Sequence, residues 1–187
     1  MKRIFWTYLL FAAALLVPSC GSQKSAAEAA MAQTVNAYNA IKEQAANIAP
    51  DDAKAIDEGI AAATAQLQAG DYKGALAAAT SLGARVKELA DSLPEKTTQL
   101  QSAWTELAGS LPSTISTLEK RLAGLKMPAP GTPNADQSPM VILAGIKTGW
   151  TDAQAAAQAG RLAEAVSKAN DVRSTAVKLL TDLQGGS

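Results

Sequence analysis

One cysteine, Cys20, and seventeen carboxylates are the groups in this chain with chemistry to offer, and histidine is absent altogether. Without His, and with a single Cys, zinc, copper and haem sites lose their usual ligands, and Ser-His-Asp and Cys-His catalysis has no base. The carboxylates could serve glycosidase-type chemistry or hard metal ions, but they are scattered singly and no EF-hand spacing occurs. The one adjacent pair, Asp51-Asp52, follows Pro50 and reads as the start of a helix, where the macrodipole favours negative charge. No catalytic, metal or cofactor site is expected. The chemistry expected at Cys20 is modification, because a lone thiol in an oxidising compartment has no disulfide partner and is a liability unless it is blocked.

The residues before Cys20 support that reading. Met1-Lys2-Arg3 is a short basic segment, and Ile4 to Val17 is a run of fourteen residues without a charge. That length suits the apolar region of a signal peptide and falls short of the roughly 20 residues a spanning helix needs. Val17-Pro18-Ser19-Cys20-Gly21 then resembles the lipobox of bacterial lipoproteins, with an aliphatic residue at −3, a small one at −1 and the obligatory cysteine. The resemblance implies that residues 1–19 are removed, that Cys20 is acylated as the new N-terminus, and that residues 20–24 form a short tether to the membrane. Several acyl chains, each buried CH₂ worth about 0.8 kcal/mol, would hold the protein firmly. Gly21 replaces the Asp that resembles an inner-membrane retention signal, which implies the periplasmic face of the outer membrane if the host is double-membraned.

Processing leaves 168 residues (187 less 19), which form one domain over 25–187. Lys2 and Arg3 leave with the signal, so 15 basic residues face 17 acidic ones, a net charge of −2. No basic stripe is interleaved with aromatics, which argues against nucleic acid as a partner. Alanine supplies 38 of the 168 positions, against four aromatics (Tyr38, Tyr72, Trp104 and Trp150). Such a composition favours helix and disfavours sheet, and the expected class is all-α, an antiparallel bundle of six or seven helices.

The apolar spacing draws those helices. Met31, Val35, Tyr38, Ile41, Ala45 and Ile48 mark a first helix over about 25–48, stopped by Pro50. A second, over 52–69, carries Ile56, Ile60, Ala63 and Leu67, and Gly70-Asp71 turns it into a third over 72–93. Ser92-Leu93-Pro94-Glu95 reads as a capping box opening the next helix, while Pro112 either kinks that helix or divides it in two. Met127–Pro139, with four prolines and a glycine, reads as a non-helical linker. Ser138-Pro139 then caps a helix to about 159, and a last one spans about 161–183. Trp104 and Trp150 fall on apolar stripes and are expected in the core, while Tyr38 and Tyr72 fall on such stripes with their hydroxyls expected to reach the surface. The mixed run Glu119-Lys120-Arg121 is expected on a solvated face.

The last two helices repeat an earlier pair at a constant offset of 90. Gln68-Ala69-Gly70 matches Gln158-Ala159-Gly160, and Ile56, Ala63, Ala75, Ala79 and Leu89 fall on Ile146, Ala153, Ala165, Ala169 and Leu179. Two related helical hairpins are therefore expected. Leu67–Leu76 and Ala159–Val166 also resemble the helix A to helix B junction of a tetratricopeptide repeat, with a Gly turn, an aromatic or Leu two residues on, and a small Ala at the close approach. Copies 90 apart, on helices of about 18 and 22 residues, differ from the 34-residue period of that family, so the likeness is one of hairpin packing. It implies a surface for protein contacts.

The leading functional expectation is a non-enzymatic, membrane-anchored helical module that contacts another envelope protein. The alternative is a binder of an apolar or amphipathic small molecule within the bundle, marked by an enclosed apolar pocket near Trp104 or Trp150. A carboxylate hydrolase stands third and requires two inward-facing acids across a cleft.

Overall fold

The fold was described from a computed structural model, which covers residues 20–123 and 138–185, with side chains from Ser22 to Gln184. The expected signal peptide, and the expected linker up to residue 137, lie outside the described residues. Within them the chain is all-α, with six helices and no strand: α1 (Cys20–Asn39), α2 (Lys42–Ile48), α3 (Pro50–Gln68), α4 (Tyr72–Leu122), α5 (Pro139–Gln158) and α6 (Leu162–Gly185).

The front of the chain departs from expectation in two ways. Residues 20–24, the expected tether, lie within α1. The single helix over 25–48 is instead two, parted at Ala40 and Ile41. The break redirects the chain so that Ala45 and Ala49 both enter the core with Ile56, Val86, Leu89 and Leu93. Ala49 ends α2 and Pro50 opens α3 at its first turn, where a missing N–H costs nothing, with Asp51 and Asp52 beside the positive helix end.

The larger correction is α4. Neither Pro94 nor Pro112 divides it, and one helix of 51 residues runs through both. Ser92 is no cap here. Its hydroxyl donates to the Leu89 carbonyl at 3.0 Å, and Ser110 likewise donates to Glu106 at 2.9 Å. An interior proline costs about 3 kcal/mol, whereas each fully buried Leu contributes about 1.5–3 kcal/mol. Leu89, Leu93, Leu107 and Leu111 are all buried around the two prolines, so burial outweighs the local preference for a break. The prolines stand five turns apart at about 3.6 residues per turn, and both face solvent on the side away from those leucines.

α4 is shared by two halves. Its first part joins α1, α2 and α3 around Met31, Tyr38, Ile56, Ala63, Ala79 and Leu82. Its last part joins α5 and α6 around Leu107, Leu111, Ile115, Leu118, Ile146 and Leu179. Thr34 donates to the Ala79 carbonyl at 3.0 Å and Tyr38 to that of Ala53 at 2.9 Å, which locks α1 against both arms of the first hairpin.

The two hairpins share their turn and their close approach. Gly70 has φ +81° and Gly160 φ +76°, left-handed values that a side chain disfavours. In each turn the next residue donates five back (Asp71 to Gln66, Arg161 to Ala156, both 3.0 Å) and the glycine donates three back, the pair of bonds that ends a helix at a left-handed glycine. A Cβ on Gly59 would meet Leu82 at 2.5 Å, and one on Gly149 would meet Val172 at 2.9 Å. Glycine and partner are both displaced by 90 residues, so the sequence repeat reproduces a three-dimensional contact. Ala63, Ala75 and Ala79, and their counterparts Ala153, Ala165 and Ala169, are all fully buried. The two copies differ in how the next helix starts. Asp71 caps α4 by accepting from the Gly74 N–H at 2.9 Å, whereas Arg161 and Glu164 pair at 3.0 Å at the start of α6.

Candidate interaction surface

Cys20 lies in α1, which is tied down within two turns of it because Ala27 is completely buried. No catalytic or metal residue was expected elsewhere, and among the described residues no buried side-chain N or O atom lacks a hydrogen-bond partner. Tyr38 is 1 % exposed, and Lys42 sits 5.3 Å from its ring centroid while donating to Asp57 at 2.6 Å. Burial pushes the Tyr38 phenol above its ordinary 10.0, the Asp57 carboxylate adds to the shift, and Lys42 opposes it. Hydrogen bonding to Asp57 raises Lys42, and hydrogen bonding to Asp91 raises Lys87.

The two tryptophans stack on each other, with ring centroids 5.5 Å apart and planes at 22°, against the core of the second half. An open groove of about 440 Å³ lies between α5 and α6 over Gly145 and Gly149.

A groove of about 760 Å³ lies where the halves meet, between the α2–α3 junction (Ala46 to Asp52), Lys96 on α4, and the first turns of α6. All of its charged side chains but Asp51 stand in ion pairs. Lys96 donates to Asp52 at 2.6 Å, and Glu164 stands 3.0 Å from Arg161 and 3.7 Å from Lys168. Such exposed pairs set register and contribute little stability, about 0–1 kcal/mol each. Sequence reasoning missed this groove. It depends on the break before α2 and on an ion pair between residues 44 apart, neither of which leaves a local pattern.

Among the described residues no carboxyl group is buried, and no three His, Cys, Asp or Glu side chains gather as metal ligands. The Glu119 carboxylate of the mixed charge run accepts from Lys147 at 2.8 Å, on an exposed face. No described helix is long and apolar enough to cross a membrane. The fold defines an all-α bundle of two related hairpins on a shared helix. Comparison of the chain with protein-family models, curated proteins and solved structures finds no match.

Proposed function

We propose that the chain is an exported lipoprotein, anchored to a bacterial membrane through acylated Cys20, whose helical bundle is a non-enzymatic module for contacts with another envelope protein. The observation that carries this reading is the order of residues at the front of the chain. A basic pair, a fourteen-residue uncharged run and a small residue lead directly to the only cysteine of the sequence. Acylation explains both the position of that cysteine and its solitude. The bundle adds support of a different kind. Its buried positions are almost wholly apolar, and its charges lie outside, mostly in pairs. The stacked tryptophans weigh against the small-molecule alternative.

The test is photocrosslinking in the intact envelope, with a crosslinking amino acid in place of the half-buried Asn47 in the junction groove. Mass spectrometry should identify one discrete adduct with a second envelope protein. Adducts with lipid alone, or with this chain alone, would contradict the interaction role.

A further inference from the structure

The direction of α1 fixes which end of the bundle the anchor would hold. Met31 lies in one cluster with Ala79 and Leu82, and Tyr38 lies in the next with Val86 and Leu89. Residue numbers rise together on the two helices, so α1 runs alongside α4 in the same direction, with the Thr34 to Ala79 hydrogen bond between them. At about 1.5 Å per residue, Cys20 lies about 16 Å before Met31, and Tyr72 about 10 Å before Ala79. Cys20 therefore stands level with the Gly70 turn or slightly beyond it. The helix from Cys20 to fully buried Ala27 is about 10 Å long, which leaves no loose chain between anchor and core. In the other direction α4 extends from Tyr72 to Leu122, about 75 Å.

We propose that the end of the bundle formed by the first turn of α1 and the Gly70 turn rests on lipid headgroups, while α4 carries the α5–α6 half away from the membrane. The proposal depends on anchoring at Cys20. The surface at this end suits a headgroup layer. Gln23, Gln68 and Lys73 are exposed, Lys24 stands 3.8 Å from Glu28, and the Asp71 carboxylate is occupied as the cap of α4. Tyr72 is half-buried there, and its apolar ring and polar hydroxyl match the membrane–water boundary. No large exposed apolar side chain is found among the described residues at this end, so it sits on the surface and does not insert. The exposed valines, Val141 and Val177, belong to α5 and α6.

Acylated Cys20 carries no free thiol, so single cysteines introduced into the full lipidated chain can be labelled cleanly. Lys73→Cys and Gln68→Cys mark the proposed contact, and Lys120→Cys marks the far end of α4. Each labelled protein is reconstituted into phosphatidylcholine vesicles containing a lipid with a nitroxide on its headgroup. The labels at 73 and 68 should lose most of their emission, and the label at 120 should lose none. Quenching at all three sites would mean that the bundle lies along the surface. Quenching at none would mean that it stands clear of the membrane, and either result overturns the proposal. The mass of the N-terminal fragment is read first. Absence of acyl groups on Cys20 would remove the anchoring reading itself, and the orientation with it, independently of any quenching result.

Discussion

Tyr38 shows how much one side chain does in this fold. Its ring fills the first core, its hydroxyl donates to the Ala53 carbonyl, and Lys42 and Asp57 close over it. A buried hydrogen bond contributes about 1 kcal/mol net, so Tyr38→Phe should lower stability by about that amount near neutral pH. The same residue makes a prediction about pH. The unfolded phenol ionises near 10.0, whereas the native one holds its proton to higher pH, so the native state binds more protons and stability falls as pH rises past 10.0. Lys42 and Lys87 act with the same sign. Their contribution is complete below the ordinary 10.5 and is lost as pH rises through the higher native value, but both are exposed and their share is small. Denaturant midpoints at about pH 7 and about pH 11 should therefore show a steeper alkaline loss in the native protein than in Tyr38→Phe. Equal losses would mean that Tyr38 is not the group responsible.

The duplicated hairpins invite a test at the level of elements. Ala79 and Ala169 are both fully buried where one helix approaches another, whereas Ala77 is exposed. Ala79→Leu and Ala169→Leu should each destabilise by about 1–3 kcal/mol, because the larger side chain must push a helix aside. Ala77→Leu should change stability by about 0.5 kcal/mol or less. Sensitivity at only one of the two buried alanines would show that the copies do not share their packing. Both hairpins were legible in the sequence because the 3/4 stripe of α3 and α4, and the Gln-Ala-Gly turn, encode burial and a left-handed glycine locally. The helix ends at Ser92 and Ile41 were misread for the converse reason. A capping motif is a local signal of about 1 kcal/mol, and four buried leucines on one helix face outweigh it. Nothing near Ile41 announces a break. The junction groove was illegible on the same grounds.

For the whole molecule the two halves, each with its own core, are joined by α4 and by the contact of the α2–α3 junction with α6. Such a body can display surfaces at a set distance from whatever holds its front end, and the proposed role rests on that hold being a lipid at Cys20. Growth with a fatty-acid analogue, followed by isolation of the chain, tests this most directly in the native sequence and in Cys20→Ser. The native chain should take up the label and fractionate with membranes, and Cys20→Ser should lose the label and remain as unprocessed precursor or as a soluble form. Undiminished label in Cys20→Ser would contradict the anchor and the function built on it.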